Sequence, residues 1–388
     1  MSRFLIFIGV ALAIILGVHY YLWARLVRDP HLPPPAGTLA TFALVLLAVS
    51  MPVTMALSRL RPGWARALAW PAFTWMGLMF LLLVGVAALD LVRLVVWVVR
   101  HAAAATPHDP ERRTLIARVV AATAATAATA VGAVAIRGAR PPIEVARVDV
   151  ALARLPRAHD GLRLVQISDV HVGPTIGIGF VRDVVARINA LEPDIVAITG
   201  DLVDGTVEEL SAAVAPLGSL RARHGVYFVT GNHEYYSGAA PWIAELRRIG
   251  IRVLDNECVS IGEGADAFDL AGIADHSASQ FGGPTTDEAL ALALAGRDRA
   301  RELVLLAHQP RQFVAAQRHG VGLQLAGHTH GGQVWPFTLL VRLAQPFVAG
   351  LHRRGDSQIY VSRGTGYWGP PMRLGAPAEI THVVLRRA

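Results

Sequence analysis

Four apolar stretches within the first 140 residues restrict this chain more than any other feature: Phe4 to Trp23, Thr38 to Leu57, Trp70 to Val99 and Thr114 to Ile136. At about 1.5 Å per residue, each is long enough to cross a hydrocarbon core of about 30 Å. A segment in lipid must satisfy its own backbone polar groups, and a single stretch can do so only as a helix. Residues 1–140 therefore read as an α-helical membrane domain of four transmembrane helices. A cleaved signal peptide would account for the first stretch and leave three unexplained. Pro52 should kink the second helix, and Pro141 with Pro142 should end the fourth. Asp90 and Arg93, spaced i to i+3 in the third, should neutralise each other near an interface. The repeated Ala-Ala-Thr near 121–129 reads as low-complexity membrane filler.

Charge follows the same division. The formal net charge is +7, carried without a single lysine. Residues 1–147 hold 14 arginines against 5 acids, a net of +9, and the remainder holds 22 basic and 24 acidic residues, a net of −2. The basic excess thus belongs beside anionic lipid headgroups, with membrane lipids as partners, and no nucleic acid is expected to bind the C-terminal half. Cys258 is the lone cysteine, so no intrachain disulfide forms. Arginines on alternate sides of the four stretches balance at seven against seven: Arg3, Arg59, Arg61, Arg66, Arg137, Arg140 and Arg147 against Arg25, Arg28, Arg93, Arg100, Arg112, Arg113 and Arg118. The positive-inside rule is therefore silent here. Glu111-Arg112-Arg113-Thr114-Leu115-Ile116 resembles an internal twin-arginine export signal, which predicts a multi-pass protein of the cytoplasmic (inner) membrane with its C-terminal domain extracytoplasmic.

Residues 141–388 are a different polymer, with short apolar runs that alternate with helical patterns. Leu164 to Ile167, Ile195 to Thr199, Val226 to Thr230, Leu303 to Ala307 and Val321 to Ala326 suit buried strands, Ile143 to Leu152 an edge strand, and Phe180 to Leu191 and Pro241 to Ile249 helices. A polar cluster stands at or just after the C-terminal end of each buried run: Asp169-Val170-His171, Gly200-Asp201, Gly231-Asn232-His233-Glu234, Ala307-His308 and Gly327-His328-Thr329-His330. Open α/β sheets bind ligands at that edge. Carboxylate, imidazole and carboxamide groups together suit borderline divalent ions such as Mn, Fe or Zn rather than a dedicated Mg or Ca site. A carboxylate can bridge two such ions about 3.5–4 Å apart, a pair suited to phosphoester chemistry.

In these five ordered blocks, D-x-H, G-D, G-N-H-[DE], H and G-H-x-H, the chain resembles the calcineurin-like metallophosphoesterase superfamily over roughly residues 160–385. Its tail resembles the membrane-linked branch, which holds the YkuE and YaeI type phosphodiesterases and transmembrane proteins with a metallophosphoesterase domain. The resemblance implies an α/β/β/α sandwich of two mixed sheets and two divalent ions. By motif position, Asp169, His171 and His330 would hold one ion, Asp201 would bridge, and Asn232, His308 and His328 would complete the second. His233 would be the imidazole that donates a proton to the departing alkoxide, with Glu234 orienting it from behind.

The glycine- and aromatic-rich segments after the last block, 331–337 and 362–369, offer Arg363 and, a little further on, Arg373 as phosphate contacts. The expected activity is hydrolysis of a phosphodiester, pyrophosphate or phosphomonoester in a lipid-linked or envelope substrate, with a UDP-2,3-diacylglucosamine-like lipid as one family-level candidate. The alternative is a non-catalytic metal-binding membrane scaffold or sensor, which would be expected to have lost a ligand or His233. This chain keeps them all.

Overall fold

A computed structural model describes residues 2–60, 62–102, 109–140 and 142–388. The chain divides into two compact units, one of residues 1–137 with 369–372 and the other of 138–368 with 373–388.

The first unit is helical: α1 (Ser2–Trp23), α2 (Ala36–Leu60), α3 (Pro62–Ala102) and α4 (Pro110–Gly138). Each forms all or most of a span apolar and long enough to cross a membrane: Gly9–Arg28, Ala36–Leu57, Ala67–Val99 and Glu111–Gly138. The first span outruns its predicted segment because a π-helical turn, Ala24–Arg28, continues α1. Pro52 lies within the unbroken α2. Pro141 and Arg61 lie outside the described residues. Asp109 starts α4, its Oδ1 accepting from Glu111 N at 3.0 Å and Arg112 N at 3.2 Å, so the twin arginines occupy a capped first turn. The Asp90–Arg93 pair is present at 3.4 Å, but Asp90 is held more closely by Arg25 at 2.8 Å and the Tyr21 hydroxyl at 2.7 Å. In lipid, a carboxylate is stabilised best by the donors that reach it most closely. The Ala-Thr repeat of α4 contributes more than filler, since Ala124 and Ala128 are buried, and beyond it Ala135 is buried and a Cβ on Gly132 would collide with Leu78 of α3. Small residues of this kind let helix backbones approach in a membrane.

The second unit contains twelve strands: β1 (Glu144–Leu152), β2 (Leu162–Ile167), β3 (Ile195–Thr199), β4 (Val226–Val229), β5 (Arg252–Val253), β6 (Glu257–Ile261), β7 (Phe268–Gly272), β8 (Leu303–Leu306), β9 (Leu323–Ala326), β10 (Gly350–Arg354), β11 (Ser357–Val361) and β12 (Glu379–Arg387). Its helices are α5 (Ile178–Ala190), α6 (Val207–Val214), α7 (Asn232–Ser237), α8 (Ala239–Arg248), α9 (Thr286–Ala293), α10 (Phe313–Gln317) and α11 (Thr338–Ala344). Two six-stranded sheets result, ordered β1-β12-β2-β3-β4-β5 and β10-β11-β9-β8-β7-β6. Both are mixed: β2 to β5 run parallel with β12 antiparallel to β2, and β11, β9, β8 and β7 run parallel with β10 and β6 antiparallel at the edges.

Successive strand residues point to opposite faces, which builds the layers. Leu164, Ile195, Ala197 and Val229 meet Phe268, Leu270, Val304, Leu306, Leu323 and Leu325 between the sheets. Their neighbours Val165, Val196, Ile198 and Phe228 face outward onto Val181, Val184 and Ile188 of α5, Leu210 of α6 and Trp242 and Leu246 of α8. On the far side Ala271, Leu303 and Leu305 pack under Leu290 of α9 and Ala316 of α10. The α/β/β/α sandwich expected from the sequence is the fold observed. Both faces of the central strands are covered, which is why β3 and β8 read as continuous apolar runs.

Candidate metal centre

All five polar clusters sit where parallel strands end: Asp169 and His171 after β2, Asp201 after β3, Asn232 to Glu234 at the start of α7 after β4, His308 after β8, and His328 and His330 after β9. Main-chain bonds lace these loops across both sheets. Asp169 N donates to Gly200 O at 3.0 Å, His171 N to Asp201 O at 3.1 Å, and His328 N to both Asp169 carboxylate oxygens at 3.0 Å. Glycine is required where they cross, because a Cβ on Gly231 would overlap the Asp201 carboxylate and one on Gly327 would overlap Ser168 and Asp169.

Asp169, His171, Asp201, His328 and His330 all have left-handed backbone, with φ between 50° and 71°. Non-glycine residues rarely adopt it. Each instance costs on the order of 1 kcal/mol, and such strain gathers where side chains must be aimed.

Among the described residues three groups of side chains have their ligand atoms within 4.8 Å of one another: Asp169, His171 and His330; Asp201, His308 and His328; and His171, Asp204 and His233, of which the first two contain the ligand candidates. In the first, His171 Nε2 lies 3.1 Å from His330 Nε2, and His330 Nε2 lies 3.4 Å from Asp169 Oδ1. In the second, His308 Nε2 lies 3.1 Å from Asp201 Oδ2. That same oxygen is 4.0 Å from His171 Nε2, so Asp201 stands between the groups.

The donor set passes a test for divalent cations. Asn232 Oδ1 and His328 Nδ1 are buried and have no hydrogen-bond partner, and the buried His308 Nε2 faces only Asp201 Oδ2, 3.1 Å away. Buried acceptors are costly to leave unsatisfied, and a cation is what lone pairs of this mix would satisfy. Two histidines are oriented for ligation: His308 Nδ1 donates to Thr199 O at 2.7 Å and His171 Nδ1 to Asp204 at 3.1 Å, which turns both Nε2 atoms toward the cage, that of His308 becoming a lone pair once it gives up its proton.

Electrostatics separate the imidazoles. Burial with His308 charge drives His328 down to about 3, and burial with Arg373 holds His330 well below its ordinary value, so both are neutral. Burial opposes charge on His308, but Asp201 and Asp169 raise it well above the usual range. Asp201 is lowered well below its range against burial, chiefly by His308 and His233. Without a cation, these two residues form an ion pair.

His233 stands beside both groups. Its amide donates to Asp201 Oδ1 at 2.8 Å and its Nδ1 lies 2.6 Å from Asp204 Oδ1, which leaves Nε2 open. Burial lowers its pKa, but Asp201 and Asp204 outweigh this and lift it to about 9. Asp204 is the functional residue that motif reading missed. One carboxylate oxygen serves both His171 and His233, and these partners hold its pKa well below the usual range against burial. The available signal was a second aspartate three positions after Asp201, just past the Gly-Asp pair.

Three expectations are corrected in detail. Glu234 does not reach the His233 ring; its carboxylate accepts from Asp201 N at 2.9 Å, Gly231 N at 2.6 Å, Leu202 N at 2.8 Å and Val203 N at 3.3 Å, and so pins the loop that carries Asp201. Burial and the Asp201 charge raise it to about 7 against those amides. Arg373 is buried, and its guanidinium donates to Gly366 O, His330 O at 2.9 Å, Arg363 O at 2.6 Å, Ala376 O at 3.3 Å and Gly364 O at 3.3 Å. It backs His330, 3.2 Å from Nδ1, rather than facing a phosphate. Arg363 is paired with Glu379 at 2.7 Å and Glu144 at 3.1 Å. Trp368 and Tyr236, both more than half exposed, stand 5.6 Å and 5.3 Å from the His233 ring.

Fold and site together define a metallophosphoesterase domain. The profile described as calcineurin-like phosphoesterase matches residues 162–332. A Danio rerio transmembrane protein with metallophosphoesterase domain is 38% identical over 74% of this chain and 66% of its own length. An Aquifex aeolicus metallophosphoesterase is 32% identical over 63% of this chain and 92% of its own length, and the Bacillus subtilis metallophosphoesterase YkuE is 29% identical over 63% and 86%. The chain belongs to the calcineurin-like phosphoesterase family, metal-dependent hydrolases of phosphoric esters built around two divalent ions. It spans less than two thirds of the length of the Danio rerio relative.

Proposed function

We propose that the chain is a membrane-anchored phosphoesterase in which residues 1–140 hold a catalytic domain, residues 141–388, at a bilayer. Asp169, His171 and His330 would hold one divalent ion and Asn232, His308 and His328 a second, with Asp201 available to both, and Mn, Fe or Zn would be the candidates. The observation that carries this reading is the gathering of Asp201, His308 and His328 around one point, with the buried, unpartnered Asn232 Oδ1 and His328 Nδ1 among the candidate donors. Two bound ions supply charge neutralisation for phosphoryl oxygens and an acidified water.

The chain's own groups do the rest. Asp204 claims His233 Nδ1, so the proton for the leaving oxygen resides on Nε2, the nitrogen without a partner. Positive charge on that imidazole is stabilised by Asp201 and Asp204. His171 is aimed by the same Asp204 oxygen, which couples the acid to the first ion's ligand set. Arg373 keeps a fixed positive charge behind His330 and favours its neutral, ligating form.

The four apolar helices support a lipid-linked phosphodiester or pyrophosphate as substrate, a nucleotide-sugar lipid resembling UDP-2,3-diacylglucosamine being one case. The segment Glu111-Arg112-Arg113-Thr114-Leu115-Ile116, which resembles an internal twin-arginine export signal, favours a multi-pass protein with its catalytic domain outside the cytoplasm. A reporter fused after Ala388 tests that side.

The chemical test uses the full chain in detergent, stripped of metal and reloaded with Mn, Fe(II) or Zn, acting on an aryl phosphodiester. Turnover should require metal and collapse in Asp201→Ala and His328→Ala. A chain that loads two ions and hydrolyses no phosphoester would instead be a scaffold.

A further inference from the structure

We propose that α11, with Trp335 ahead of it, is a second membrane-contacting element that enters the headgroup and upper acyl region of the bilayer beside the metal centre. The helix buries none of its seven residues. Leu339 and Leu340 are each 55% exposed and Leu343 is 85% exposed, the largest exposure of any large apolar side chain described. Spaced i, i+1 and i+4, they lie on one helical face. Soluble surfaces scatter such residues singly, whereas a contiguous group marks a surface that another apolar phase covers.

Three observations select lipid as that phase. The chain already carries four helices suited to crossing a membrane, and the last of them ends at Gly138, six residues before β1 begins. Second, the segment has the composition of an interfacial helix: Trp335, 58% exposed, comes four residues ahead of Leu339 in the chain, and Arg342 within α11 and Arg311, whose Nη2 donates to Ala344 O at 3.1 Å, add positive charge where headgroups are anionic. Third, α11 is tied to the site. It begins eight residues after His330, the Thr338 hydroxyl donates to Gly331 O at 3.2 Å, and a Cβ on Gly332 would collide with Thr338. Gln333 exchanges hydrogen bonds of 2.9 Å and 3.0 Å with the backbone of Trp368, which stands beside His233. An element seated in lipid through α11 would therefore hold the open side of His233 at the depth where a headgroup phosphate lies.

This goes beyond the activity proposed above, because it concerns a surface and holds whether or not the substrate carries a lipid. The test uses the full chain with Cys258→Ser, reconstituted in phosphatidylcholine–phosphatidylglycerol vesicles, carrying an environment-sensitive fluorophore at Leu343→Cys or at the exposed control Glu263→Cys. The label at 343 should shift to the blue and lose about half its emission with lipids brominated high on the acyl chain, while the label at 263 stays unchanged. Equal, weak quenching at both positions would overturn the proposal, and so would a disulfide-linked dimer formed by the unlabelled Leu343→Cys chain under a mild oxidant, which would make the occupant a second copy of the chain. A Leu339→Ser, Leu340→Ser, Leu343→Ser variant should abolish the quenching difference of a label at Trp335→Cys while leaving hydrolysis of a water-soluble aryl phosphodiester unchanged. Loss of that hydrolysis together with the metal would mean that the face is structural instead.

Discussion

Asp204 shows how one carboxylate oxygen can set two histidines at once. Its bond to His233 Nδ1 leaves the acid proton on Nε2, and its bond to His171 Nδ1 leaves a lone pair on the other nitrogen. The two substitutions that follow should separate in their effects. His233→Asn keeps size and polarity but has no titratable proton, so metal content should persist while kcat falls about 10²- to 10⁴-fold. Elemental analysis beside steady-state rates checks this, and metal loss would contradict the assigned role. Asp204→Asn removes an anion that favours protonated His233. An acid works only while protonated, so the rate declines as pH rises through the His233 pKa, which lies at about 9 without metal and is lowered by nearby cations. Removing Asp204 lowers it further and should move the alkaline limb of kcat/KM acidward by about one unit. An unmoved limb would assign it to another group.

At the scale of elements, strands were legible and the directions of side chains were not. Ile195–Thr199 was readable to the residue, because β3 is covered on both faces and needs an unbroken apolar run. That the D-x-H and G-H-x-H residues stand at strand ends was also legible, since each block follows an apolar run. Glu234 was misread because it follows His233 directly, whereas successive residues on α7 point about 100° apart. Arg373 was misread because a sequence shows an arginine beside glycines but not the carbonyls that surround it. The correction for Glu234 predicts that Glu234→Gln, which exchanges one carboxylate oxygen for an NH2 facing backbone amides, costs about 2–3 kcal/mol and loosens the Asp201 loop. Denaturation midpoints of the metal-free chain should fall, and metal affinity should drop with them. An unchanged affinity would separate Glu234 from Asp201. In the membrane unit, hydrophobicity marked the spans but not the helix packing, because Ala124, Ala128 and Gly132 act through the side-chain volume they lack.

For the whole molecule, protons and cations compete for the same cage, and this fixes how stability responds to pH. Without metal, His233 has a folded pKa of about 9 against an ordinary 6.5, and His308 is raised in the same sense. A group raised on folding stabilises fully below its unfolded value and loses that contribution as pH climbs through the folded one. Asp201 and Asp204 are depressed, so their contribution is present above about 4 and fails only in stronger acid. These four groups together should contribute most between about pH 4 and 6.5, and the share from His233 and His308 should fade on the way to pH 9. Metal binding runs the other way, because His308 must surrender its proton to ligate, and each proton released strengthens binding about tenfold per pH unit. The gap in unfolding midpoint between Mn-loaded and metal-free full-length chain should therefore widen steadily from pH 6 to 9. A constant gap would mean that His308 is already neutral before the metal arrives, and that the ion pair with Asp201 does not form.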